Sequence, residues 1–543
     1  MKRSSITLVG LLAAAAVVAA PTAGAPEQTP KRGGTVVFGP VAELGCVNPL
    51  INCGPGGPQY GWIFEKVLPG AFALAPDFTR RKALVSSVTF TRTPPFTLTY
   101  TIRPEARWSD GVPVTARDFV FTHEAIRAYY PPNHPHRRYI RSVRSVGAKT
   151  VRVVMGAPYA GWRGLFWIVL PQHALAGEDL ARIWANGIEN PKTGTPIGSG
   201  PFLVGRLDRG RQLTLVRNRR YWGLHAAFLD GLIIRFCRAT CLAPPPAEVL
   251  EGLKEGAVDF AYARDTEIFA DLDRIRGTTV RLHRTNGWEH VDFNLSSDTG
   301  HPLLGKGARG KLVRRAFAYS IDRAKIVQRL WGETDPTYRP LKSAVFLNTD
   351  PRYAPNWGGY TYRPNLARSL LRSAGCQRDA DGIYACGGRR LSLRFTTLPT
   401  RTRERSLELM QPLLRGVGID VDISYDRALL QRTAKGDFEV ASYAFTNVDG
   451  FGYKDVYGCG GIQNWTGYCQ RLVTADLDQS DRMLDEPRRA QVLHRVDRRL
   501  AKDVPLIPLY QIPWVYAYKD TLRDVVPSPD NLLWNAENWW LDD

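Results

Sequence analysis

A chain of 543 residues is too long for one ordinary hydrophobic core and sets an expectation of two or three lobes. Apolar residues make up 44% of it, with 14 Trp, 22 Tyr and 21 Phe, which excludes a disordered polar polymer. The formal charge of +20 is scattered, without a basic helix or a run of six like charges, so a solvated basic surface is expected and nucleic acid is not the expected partner.

The N-terminus reads as an address. Lys2 and Arg3 precede the apolar run ITLVGLLAAAAVVAA at 6–20, and Ala23, Gly24 and Ala25 supply small residues, the pattern of a secretory signal peptide over 1–25. The run is too short and too Ala-rich for a membrane span, although Pro26 directly after the A-G-A triplet leaves an uncleaved anchor open. No cysteine lies near the end of the run, so no lipid anchor is expected. Eight cysteines fall into neighbouring pairs: Cys46 with Cys53, Cys237 with Cys241, Cys376 with Cys386, and Cys459 with Cys469. In an exported chain these read as disulfides, each closing a short loop and each worth roughly 2 to 3 kcal/mol by chain entropy. A zinc site is disfavoured because the CxxC rhythm is absent and the histidines do not gather beside the pairs.

In chain order, Gly33 and Gly34 lead into TVVF at 35–38, expected as a short strand at the edge of the mature domain. Next, Phe96, Leu98, Tyr100 and Ile102 alternate with polar residues, the two-residue period of a half-buried strand. Ser109, Asp110 and Gly111 then form a turn. Thr115 sits where a helix N-cap belongs, with Asp118 in the first turn and Phe119, Val120, His123 and Ile126 at helical spacing. The HPH stretch at 134–136 reads as a surface loop. A hairpin is expected from 202–204 and 213–216 around Asp208, Arg209 and Gly210. Helical faces follow at Val313, Phe317, Ser320 and Ile321, and at Ile326, Val327 and Leu330 behind Asp322. Two more run from Pro364 to Gly375 and onward from Pro487. The chain closes with LIPLYQIPWVYAY at 506–518, a strand whose prolines suit an edge. The mixture is α/β.

The segment YTIRPEARWSDGVPVTARDFVFTHEAI at 100–126 resembles the signature of extracytoplasmic solute-binding proteins of family 5, the peptide, dipeptide and nickel class that serves ABC importers. Four further stretches resemble that family in the same order: KRGGTVVF from Lys31, GTPIGSGPFLVGRL with VRNRRYWG ending at Gly223, VRRAFAYSIDRAKIV from Val313, and YRPNLARSLLRSAGC from Tyr362. The terminal helix and KDVPLIPLY also fit, so the likeness covers nearly the whole mature chain. It implies an α/β, two-lobed periplasmic-binding-protein-like fold (class II, cluster C) with an extra inserted region in the first lobe. Lobe I would comprise 33–69, 190–285 and 505–543, the inserted subdomain 70–189, and the other wing, lobe III, 286–504. The resemblance also implies a monomer outside the cytoplasm, a short peptide or other small solute as ligand, an ABC permease and ATPase complex as partner, and no cofactor or metal.

By the same likeness, GDFEVASYAFTNVDGFGY at 436–453 matches the stretch that holds a peptide's ammonium group. Asp449 is then the candidate partner, flanked by Phe445 and Asn447, in a contact worth roughly 1.5 to 3 kcal/mol. Family members often show Trp, an acidic pair and proline here. The alternative is therefore the same fold holding a nickel chelate, haem, an oligosaccharide or a signalling compound. Further candidates by position are Glu43 and Leu44 in the N-terminal loop, Tyr262 and Arg264 after VDFAY, Trp288 and Asn294 on NGWEHVDFN, and Trp465 as a pocket wall. Arg264 or Arg401 would take a ligand carboxylate. No GxSxG elbow, HExxH or P-loop occurs, so a non-catalytic binding protein is expected.

Overall fold

Ten strands share one mixed sheet. In chain order they are β1 (Thr35–Val41), β2 (Phe202–Asp208), β3 (Gln212–Arg217), β4 (Gly231–Phe236), β5 (Phe260–Ala263), β6 (Thr278–Phe293), β7 (Ser392–Thr397), β8 (Asp420–Tyr425), β9 (Val440–Thr446) and β10 (Leu506–Lys519). Their spatial order is β2-β3-β4-β1-β5-β10-β6-β9-β7-β8. β1 is parallel to β4 and β5, β7 is parallel to β8 and β9, and the other neighbours are antiparallel. This computed structural model describes residues 29–51, 59–91, 93–132, 134–239, 241, 243–446 and 452–542. The expected signal peptide therefore lies outside the described residues, as do Cys53, Asn447 and Asp449.

The protein is α/β and two-lobed, and β6 and β10 show how one sheet serves both lobes. Residues 278–284 of β6 pair with 513–519 of β10, and 288–292 pair with 506–511, but the ladder is irregular between Arg284 and Trp288. On one side of that break Val280, Val515 and Ala517 pack together, while on the other Val291, Ile507 and Leu509 enter a different core. One large apolar core gathers residues between Val36 and Phe236 with Phe260, Tyr262, Trp514 and Trp539. The second gathers Trp288 through Tyr510. Two cores of this size are what a chain too long for one centre must build.

Two edge assignments are corrected. β1 is bonded on both sides and buries Val36, Phe38 and Val41, as an interior strand in a mixed sheet does. β10 is also central, because its prolines fall at irregularities: Pro513 stands opposite Arg284 and Pro508 opposite His290, beside the two register shifts where a missing N–H leaves no gap in the ladder.

Before the second half of the sheet comes a four-stranded antiparallel sheet, Val85–Phe90, Thr97–Ile102, Thr150–Met155 and Ile140–Gly147 in spatial order. The helix Ala116–Tyr129 packs on it. The Asp118 carboxylate accepts the Thr115 N–H at 2.6 Å, and Gly111 takes φ +96° in the turn ahead of it, a conformation that favours glycine. The HPH stretch is not a surface loop. His136 is fully buried; its Nε2–H donates to the Leu165 carbonyl at 2.5 Å, and its Nδ1 lies 3.0 Å from Nδ1 of buried His123. Burial holds both imidazoles neutral, near 3 for His136 and near 4 for His123.

Helices Ala308–Ser320, Arg323–Trp331, Pro364–Ser373 and Glu486–Asp503 cover the second core. Asp322 and Asp485 cap the second and fourth through the N–H groups of Lys325 and Arg488, both at 3.0 Å. Disulfides join Cys237 to Cys241, Cys376 to Cys386 and Cys459 to Cys469. Cys46 is disulfide-bonded as well. Among the described residues no helix is long and apolar enough to cross a membrane.

Candidate functional site

The break in the β6–β10 ladder is the floor of a cavity of about 1130 Å³. Thr285, Asn286 and Gly287 of β6 line it where the chain passes from one core to the other. The crossing is pinned by side chains. Thr285 donates through Oγ1 to the Ile512 carbonyl at 2.8 Å, and Gln511 Nε2 donates to the Thr285 carbonyl at 2.7 Å.

The first core supplies an aromatic wall and a carboxyl. Trp62 and Glu65 stand three apart on the helix Gln59–Val67, hence on one face, and both line the cavity. Trp62 packs on Trp514, ring centroids 5.7 Å apart, and Trp514 on Tyr262 at 5.5 Å. Glu65 Oε2 accepts from Asn531 Nδ2 at 3.1 Å, and its nearest cation, Lys66 Nζ, is 4.0 Å away and taken up by Glu537 at 3.1 Å. Desolvation outweighs the pull of Lys66 and raises the Glu65 carboxyl to about 7.

The second core answers with a buried ion pair. Arg403, in the first turn of the helix Arg401–Val417, places Nε 3.0 and 3.1 Å from the two carboxylate oxygens of Glu289 and Nη2 3.0 Å from Oε2. Ser442 Oγ adds a fourth bond to Glu289 at 2.9 Å. Burial works against the Arg403 charge, but Glu289 outweighs it and raises the guanidinium above its usual value. Glu289 is thus fully satisfied although only 1% exposed.

Among the residues that sequence singled out, Arg264 lines this cavity, its guanidinium 5.7 Å from the Trp514 ring centre. The other described candidates do not line it. Leu44, Tyr262 and Trp288 are buried in the cores. Asn294 donates to the Gly436 and Phe438 carbonyls at 2.8 and 2.9 Å, tying a strand end. Glu43 accepts the Gly210 N–H at 2.7 Å and so anchors the N-terminal loop to the β2–β3 hairpin. Arg401 sits 3.7 Å from Glu267, and Phe445 and Trp465 pack around Tyr443. Glu65, Glu289, Arg403 and Arg427 were missed. For Glu289 a signal existed, since a carboxylate between Trp288 and His290 in an otherwise buried strand needs a partner. Among the described residues no group of three or more His, Cys, Asp or Glu is placed to hold a metal.

Comparison with known proteins gives the arrangement a setting. The sequence profile of the bacterial extracellular solute-binding proteins, family 5 Middle, matches residues 81–465. The oligopeptide-binding protein OppA of Mycobacterium tuberculosis is 27% identical over 480 residues, covering 85% of this chain and 77% of that protein. A periplasmic EDTA-binding protein, EppA, superposes with a TM-score of 0.82 at 23% identity over 95% of this chain and 98% of its own. The oligopeptide-binding protein AppA of Bacillus subtilis, solved with a nonapeptide, superposes with a TM-score of 0.73 at 19% identity over 95% and 100%.

Proposed function

Because the chain belongs to the bacterial extracellular solute-binding proteins of family 5, we propose that it captures short peptides by closing its two lobes on them and delivers them to an ABC permease and its ATPase. The observation that carries this reading is the cavity itself, about 1130 Å³ with walls from both cores and a floor at the strand crossing. That volume exceeds the usual range for a drug-sized ligand and has room for an extended peptide. We assign 33–69, 190–285 and 505–543 to lobe I, 70–189 to the inserted subdomain and 286–504 to lobe III; the two cores and the break at 284–288 support this division except at 506–510, where Leu506, Ile507, Leu509 and Tyr510 pack in the second core. The protein would act as a monomer outside the cytoplasm, without catalysis. Asp449 keeps the role of ammonium partner that family likeness gives it.

Calorimetry and thermal-shift measurements with a pool of dipeptides to pentapeptides, beside sugars and a nickel–histidine chelate, test this. Peptides should raise the unfolding midpoint, by about 2.7 kcal/mol of stabilisation at a hundredfold excess over Kd, and Asp449→Ala should weaken the effect. Stabilisation by the chelate alone would instead favour the second reading, a non-peptide chelate binder, to which the likeness to an EDTA-binding protein points.

A further inference from the structure

We infer that the cleft selects carboxylate-bearing anionic ligands, acidic short peptides in the first place, with the carboxylate bridged between Arg264 of the first lobe and Arg427 of the second. This rests on the peptide reading above and names the class of peptide.

Four arginines and three carboxyl groups line the cavity. Arg403 is already neutralised by Glu289 through three short contacts. Arg80 and Asp530 have interactions of their own. What remains for a ligand is Arg264, Arg427 and Glu65. Neither arginine has a hydrogen-bond or ion-pair partner among the described residues. Arg264 Nε is closed off from solvent with no acceptor, a donor left unsatisfied at a cost that an incoming anion would relieve. Glu65 offsets the two cations only in part at neutral pH, because burial raises its carboxyl to about 7. The ligand therefore meets a net positive lining.

Geometry adds a reason for closure. Arg264 follows β5, in the first lobe, whereas Arg427 follows β8, in the second. Arg264 is also oriented by the Trp514 face. An anion contacting both guanidinium groups interacts with the closed arrangement more strongly than with an open one, and a ligand shifts a conformational equilibrium only by that difference. A carboxylate suits the planar fork of arginine better than a point anion does.

The test is titration calorimetry on the full-length chain with three C-terminally amidated tripeptides, Ala-Glu-Ala, Ala-Gln-Ala and Ala-Lys-Ala, so that only the first carries a carboxylate, and with citrate as a free polycarboxylate, repeated for Arg264→Gln and Arg427→Gln. Ala-Glu-Ala should bind at least tenfold more tightly than its Gln isostere, and the preference should fall below threefold in either variant. Circular dichroism establishes that each variant is folded; if Arg264→Gln is not, Arg427→Gln, an exposed position, decides alone. Equal binding of the three peptides overturns the carboxylate site and leaves the peptide reading standing. Citrate binding that needs both arginines, with no peptide bound, upholds the carboxylate site and overturns the peptide reading. Silence from every probe overturns both.

Discussion

Glu65 and Glu289 face the same cavity and have opposite fates. Glu289 is bonded by Arg403 and Ser442, while burial raises the Glu65 carboxyl to about 7. The folded-state value of Glu65, about 7, lies above its ordinary 4.5, so the native protein binds an extra proton between these limits and loses stability as pH rises through 7. Glu65→Gln should remove that slope, narrowing the difference in unfolding free energy between pH 5 and pH 8 by about 2 to 3 kcal/mol in urea titrations. The Arg403–Glu289 pair predicts a different pattern. Arg403→Ala leaves a buried carboxylate uncompensated and should cost about 3 to 5 kcal/mol, whereas the double change Arg403→Met with Glu289→Gln should recover much of it in the same urea assay. Sequence pointed to Arg264 because it follows an apolar strand, but it pointed equally to Tyr262 and Trp288. An aromatic beside a strand end reads the same whether it packs inward or lines a cleft, and only the fold separates the two.

Elements were more legible than sites. The strand at 97–102, the cap at Thr115, the β2–β3 hairpin and the helices behind Asp322 and Pro364 each carry a local signal, periodicity or capping chemistry, and all formed near their expected places. Strand position within the sheet was not legible, because it depends on which distant segments pair. For β1 a four-residue apolar run looked like an edge, and for β10 the prolines did, yet both lie in the interior. Three of the four cysteine pairings are seen as expected, between near neighbours; Cys53, the expected partner of Cys46, lies outside the described residues. Cys376 and Cys386 stand directly opposite each other in a small antiparallel ribbon that packs into the second core. Replacing both with Ser should lower stability by about 3 kcal/mol, measured as a lower urea midpoint with an unchanged fold by circular dichroism.

At the scale of the whole molecule, the two cores are joined by strand crossings and by side-chain contacts. β6 and β10 carry the chain across at the ladder break, and Gly287 there lies beside Thr285 and Ile512. Outside the crossing, Arg405 meets Glu267 at 2.7 Å and Trp331 Nε1 donates to Thr266 Oγ1 at 2.7 Å, joining the helices of the second core to the segment after β5. The Arg405–Glu267 pair is partly exposed and therefore worth only about 0 to 1 kcal/mol, weak enough to open without a ligand. A second cavity, of about 520 Å³, is lined by Arg138 and Tyr159 of the inserted sheet region together with Lys454 and Asp481. Such an arrangement fits rigid halves turning about a short segment, the motion by which a hinged cleft encloses its ligand. The most direct test is small-angle X-ray scattering of the mature chain with and without a peptide that calorimetry shows to be bound at saturation. Hinge closure predicts a smaller radius of gyration and maximum dimension with peptide; identical scattering curves for the free and fully bound protein would contradict it.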